Sequence, residues 1–218
     1  LLQATMPDLP PLIAPDIDLS QGLPALISLL LEAGAPFTLN PLTLREAVMA
    51  ARDAYQAARQ AMMEGRLTPA GFDRPGGDGP LWPADGIPVA VVGHPYNLYD
   101  PFINHQLLSR LARLGVNALT PERLGPQPED DYWAFEYELV GATRRALEQG
   151  VRGLIAVVAF GCGPDAVLVD ELQRLSRESG IPLMVLVLDE HSGEAGLVTR
   201  LEAFVDMLHW RSAKWKSF

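Results

Sequence analysis

From Pro88 onward the chain alternates short apolar stretches with amphipathic ones, and few sequence patterns restrict a fold so tightly. Strand-length apolar segments occur at 89–93, 117–120, 154–160 and 183–188. Each is followed by a segment with helical spacing. The first helix is expected to be capped by Asp100 and begun by Pro101, with Ile103, Leu107, Leu108, Leu111 and Leu114 inside and Gly115 at its end. The second is expected from about 131 to 149. The third starts at Pro164 and carries Leu168, Leu172 and Leu175; the last carries Leu197, Leu201, Phe204 and Leu208. Strands separated by helices pair in parallel, so residues 87–213 are expected to form an α/β domain on a doubly wound parallel sheet.

The upstream part follows different rules. Pro7, Pro10, Pro11, Pro15 and Pro24 interrupt residues 1–24, which predicts an extended arm. A short apolar helix over 24–33 should stop at Gly34. From Thr43, the residues Leu44, Ala47, Val48, Ala51, Tyr55, Ala58 and Met62 step by three or four, and Thr43 with Glu46 reads as a capping box. Residues 1–64 are therefore read as a helical N-terminal arm. Residues 65–86 hold six glycines and four prolines and are read as a linker.

With 17 basic against 27 acidic residues, the net charge of −10 disfavours nucleic acid, because no broad surface is left to attract a polyphosphate backbone. The single cysteine, Cys162, excludes an internal disulfide and suits a reducing compartment, with the cytoplasm as the default. The apolar runs are too short to span a bilayer, so no membrane association is expected. A chain that starts at Leu1 leaves a fragment, a processed form and a longer parent all open.

Ligands of open parallel sheets bind beyond the carboxyl ends of the strands, where helix N-termini point at the crevice. Three polar loops fall there: His94 to Asp100 after the first strand, Gly161 to Asp165 after the third, and Asp189 to Glu194 after the fourth. Pro164 suits the first helical position, which predicts Gly163 as N-cap and Cys162 just before it. Amides and the helix dipole favour an anion there, and Gly161 and Gly163 leave room for a ligand, so a reactive or ligating thiolate is expected. A small cysteine in a tight turn is the plain alternative. Asp189, Glu190 and His191 could supply a base, a metal ligand or a proton donor, against a reading in which the acids only cap a helix. His94, Tyr96, Asn97, Asp165, Asn104 and Arg200 complete the candidate binding set; for Arg200 an internal salt bridge is the common alternative.

Three segments together carry a resemblance: Val-Val-Gly-His-Pro-Tyr-Asn-Leu-Tyr-Asp-Pro-Phe-Ile-Asn (91–104), Phe-Gly-Cys-Gly-Pro-Asp (160–165) and Leu-Asp-Glu-His-Ser-Gly-Glu-Ala-Gly-Leu-Val-Thr-Arg-Leu-Glu-Ala-Phe-Val-Asp (188–206). Over roughly residues 85–210 the chain resembles an uncharacterised family related to the activases and cluster-bearing components of 2-hydroxyacyl-CoA dehydratases. The resemblance implies a Rossmann-like redox protein whose relatives hold a 4Fe-4S cluster between two lobes, with Cys162 matching the cysteine of one lobe. Thiolate-held clusters need three or four cysteines, so the others would have to come from a missing lobe or subunit.

Two functions follow as expectations. One is a redox or accessory component that contributes Cys162 to a shared iron-sulfur site. The other is a module that binds acyl-CoA or another small anion on the amides of 161–165 without a cluster. Two further arrangements have less support. A cysteine hydrolase with His191 as base lacks the glycines two residues either side of the nucleophile, where Phe160 and Pro164 stand. A mononuclear metal site of His94, Cys162 and His191 has no local ligand spacing behind it.

Overall fold

The computed structural model describes residues 12–38, 40–69, 82–125, 134–191 and 193–215. The chain divides into two compact units, Leu1–Ala58 and Arg59–Phe218. Pro7, Pro10 and Pro11 of the expected arm lie outside the described residues, as do 70–81 of the Gly/Pro-rich stretch and the start of the expected helix at 131–133. Among the described residues no helix is long and apolar enough to cross a membrane.

In the first unit, residues 12–18 have no regular structure and are followed by a short 3-10 turn and helix α1 (Gly22–Gly34). Helix α2 (Pro41–Met63), whose residues 59–63 fall in the second unit, begins before the expected capping box, because Asn40 does the capping: its Oδ1 accepts the Leu42 amide at 3.0 Å. No α2 residue is buried.

The second unit is built on strands β1 (Ile87–Gly93), β2 (Val116–Leu119), β3 (Gly153–Ala159) and β4 (Leu183–Leu188). All pair in parallel in the order β2-β1-β3-β4, so the chain leaves β1 in one direction to form β2 and returns on the other side to form β3. Alternate residues of each strand face opposite layers. Val89 and Val91 of β1 with Ile155 and Val157 of β3 pack beneath helices α3 (Pro95–Tyr99), α4 (Leu107–Arg113) and α7 (Glu194–Trp215). Ala90, Val92, Leu154 and Ala156 face α5 (Ala134–Glu148) and α6 (Gly163–Ser179). The sheet is thus doubly wound, as the alternation of segments implied. Trp82, at the end of the Gly/Pro-rich stretch, is buried in the first of these layers.

The connection after β1 departs from expectation. A single helix from Pro101 does not form: His105 and Gln106 take left-handed backbone angles (φ 52° and 60°), which break it, and helix appears on either side instead. Asp100 still caps locally, its Oδ1 accepting the amides of Phe102 and Ile103 at 2.9 and 3.2 Å, but it opens a turn. Asn104 then starts α4 by accepting the Leu107 amide at 3.1 Å. The third helix begins one residue early, at Gly163, so Cys162 is the N-cap in place of Gly163.

Candidate functional site

In a sheet ordered β2-β1-β3-β4, connections from the ends of β1 and β3 diverge, which opens a crevice between those two strands. The strands approach closely there. A Cβ on Gly93 would lie 2.2 Å from the Val157 carbonyl oxygen, so only glycine fits at the last position of β1. His94 follows in extended conformation and N-caps α3.

On the β3 side, Gly161 turns the chain with φ 75°, and Cys162 enters α6 with its carbonyl accepting the Ala166 amide at 3.2 Å. Asp165, in the first turn of α6, is 2% exposed. Its Oδ2 accepts the Ala159 amide at 2.8 Å, which ties the start of the helix to the end of the strand. Its Oδ1 lies 3.1 Å from His94 Nε2, at ion-pair distance for a protonated imidazole, and has no hydrogen-bond partner.

His94, Cys162 and Asp165 each offer one potential ligand atom within 4.8 Å of the other two. Tyr96 lies over this group: its ring stacks on His94 with centroids 5.3 Å apart and planes 7° from parallel. Tyr96 is half exposed, and partial desolvation pushes its phenol up, with the charges of Asp165 and Cys162 and a hydrogen bond with Cys162 adding to the shift. The phenol therefore stays protonated at neutral pH and can donate to a thiolate.

The compactness of the group limits its chemistry. A nucleophile relay puts the thiol and the acid on opposite nitrogens of one imidazole, which separates them across the ring. Here sulfur, nitrogen and oxygen are mutual neighbours, so they converge on a point. The donor set is mixed, one soft sulfur with one nitrogen and one hard oxygen.

The remaining candidates have other surroundings. Asn97 is buried with its Nδ2 lacking a hydrogen-bond partner. Asn104 is also buried, and its Nδ2 donates to the carbonyls of Asn97 and Leu98 at 3.0 and 2.7 Å, so its polar atoms hold the backbone. Asp189 Oδ1 accepts the His191 amide at 2.9 Å, and His191 faces Glu190 across 3.6 Å with both side chains largely exposed. These three residues stand after β4 and do not belong to the convergent group. Arg200 Nε donates to the Gly196 carbonyl one turn back in α7, at 3.2 Å. Gly161 and Gly163 have open space where a side chain would project. The turns after β1 and β3 expose Phe102 and Phe160, and the first turns of α6 expose Val167, none of which sequence reasoning singled out as exposed. The first unit holds a separate cavity of about 300 Å³ lined by Asp16, Asp18, Gln21 and Glu32, with neither thiol nor imidazole.

A family model described as the CoA enzyme activase uncharacterised domain matches residues 1–124. The chain belongs to that family. The match includes β1, His94, Tyr96, Asn97 and Asn104 and ends at Leu124, before Cys162 and Asp165. It therefore lies mostly upstream of the 85–210 span to which the resemblance applies, and shares only the first of the three segments that carry that resemblance. Neither the curated proteins nor the solved structures yielded a match for this CoA enzyme activase-related chain.

Proposed function

We propose that this chain is an accessory component of a CoA enzyme activase system, and that it presents Cys162 at the β1/β3 crevice as one ligand of an iron-sulfur site completed by another lobe or subunit. The observation that carries this reading is the convergence of Cys162, His94 and Asp165 at the switch point of the sheet. One cysteine cannot hold a 4Fe-4S cluster in the ordinary way, so the residues present fit one corner of such a site and not the whole of it. The cluster would supply electron transfer. The chain's own part is to hold the Cys162 thiolate at the start of α6, with Tyr96 against it and His94 braced near Asp165. Exposed Phe102, Phe160 and Val167 around the same loops suit coverage by a partner.

Anion or acyl-CoA binding at the first turn of α6 is the competing reading, favoured by the open space at Gly161 and Gly163. The buried Asp165 carboxylate already places negative charge at that turn, which weakens the case for a second anion.

The test is anaerobic reconstitution with iron, sulfide and a small thiol to stand in for the missing ligands, comparing the chain with Cys162→Ser. Iron and sulfide retained with visible absorption only when Cys162 is present supports the proposal. Equal uptake by both proteins, or none by either, overturns it.

A further inference from the structure

We infer that the chain alone binds one divalent transition-metal ion of the zinc, cobalt or ferrous type, held by Cys162 Sγ, an imidazole nitrogen of His94 and a carboxylate oxygen of Asp165. This goes beyond the shared-cluster reading, since it requires no second subunit.

Geometry is the first argument. Metal bonds of about 2.0–2.3 Å to N, O and S place tetrahedral ligand atoms roughly 3.4–3.6 Å apart. The three donors already lie within 4.8 Å of one another, so a contraction of about 1 Å closes the site, and rotation of the Cys162 side chain can supply it.

The second argument is independent of that spacing. Asp165 Oδ1 is buried without a hydrogen bond, although a buried carboxylate oxygen ordinarily has one. The atom facing it is His94 Nε2 at 3.1 Å, and the Cys162 donor atom lies within 4.8 Å of the His94 and Asp165 donors. A cation at the common point would satisfy Oδ1 and offset the charge of a carboxylate beside a thiolate. Among the described residues, the ion-pair contact of Asp165 is with His94, and no arginine or lysine pairs with it.

Ligand chemistry then selects the ion. A thiolate and an imidazole favour zinc, cobalt(II) or iron(II) over magnesium or calcium, which take oxygen ligands. Tyr96 stacked on His94 limits rotation of the imidazole, and the open space at Gly161 and Gly163 leaves access for a fourth ligand. Three protein ligands with one further position is the arrangement of an open metal site. A single ion and a cluster corner both require Cys162, so they would occupy the site alternately.

Cobalt(II) is the probe, titrated anaerobically into the full chain. The expected result is one equivalent bound, with a sulfur-to-cobalt charge-transfer band that Cys162→Ser abolishes. His94→Ala and Asp165→Asn should each weaken binding by at least about 10- to 100-fold, the loss known for partners that only support a ligand, while His191→Ala leaves it unchanged. Circular dichroism identifies any variant that fails to fold; His94→Gln is the substitute for His94→Ala. Binding without the charge-transfer band, equal binding by Cys162→Ser and the parent chain, or no binding at all overturns the inference. Cobalt binding without iron-sulfide uptake would sink only the shared-cluster reading, and the reverse result would sink only this one.

Discussion

Helices α2 and α6 both follow from apolar residues at helical spacing, yet α2 buries none of its residues while α6 buries Leu168, Leu172 and Leu175 against the sheet. Sequence periodicity predicts that a helix has an apolar face. It does not predict what that face meets. Most of a helix's stability in a protein comes from packing that face, so α6 should carry a far larger share of stability than its longer counterpart.

Several substitutions can break or sharpen this contrast. Leu172→Ala should have the largest effect, destabilising the second unit by about 2–5 kcal/mol in urea unfolding, because it empties a fully buried position. A loss near zero would mean that α6 is not anchored as described. Next, Asn104→Ala should cost about 1–3 kcal/mol, since it removes the donor to the Asn97 and Leu98 carbonyls and one of the two acceptors of the Leu107 amide. If its unfolding midpoint matches that of the parent chain, the turn at 101–106 does not depend on that side chain.

A smaller effect is expected on the outer face of α6. Hydrogen bonds from Arg174 and Arg144 hold Glu171 down to about 2 from its ordinary 4.5. A lowered carboxylate contributes stability above its unfolded value, so the contribution should be present above about pH 4.5 and lost as pH falls toward about 2. Glu171→Gln should flatten stability across that window, and added salt should shrink the difference, because the pair is partly exposed. The smallest change belongs to α2: Leu42→Ala, at a 67% exposed position, should shift unfolding by no more than about 0.5 kcal/mol. A cost comparable to that of Leu172→Ala would erase the contrast between the two helices.

The four strands were legible because each is a short apolar run bounded by turn residues, and β4 was placed to the residue at Leu183–Leu188. The break after β1 was not. Asp100 and Pro101 resemble a helix start, and nothing local announces that His105 and Gln106 will turn left-handed. Within the site, the loops were legible as strand ends, but the pairing of His94 with Asp165 was not. Their closeness depends on β1 and β3 being neighbours, a long-range fact absent from either loop.

What the amino-acid sequence determined by itself is therefore the alternation of strand and helix, the parallel sheet that this imposes, and the presence of one thiol beside a helix start. Only the tertiary structure decided that Cys162 converges with His94 and Asp165 while Asp189, Glu190 and His191 remain apart after β4. The physical reason is that local spacing dictates which side chains share a face of one element, whereas strand order is set by non-local pairing and by burial of both sheet faces. The switch between β1 and β3, not any motif, brings the donors to a common point.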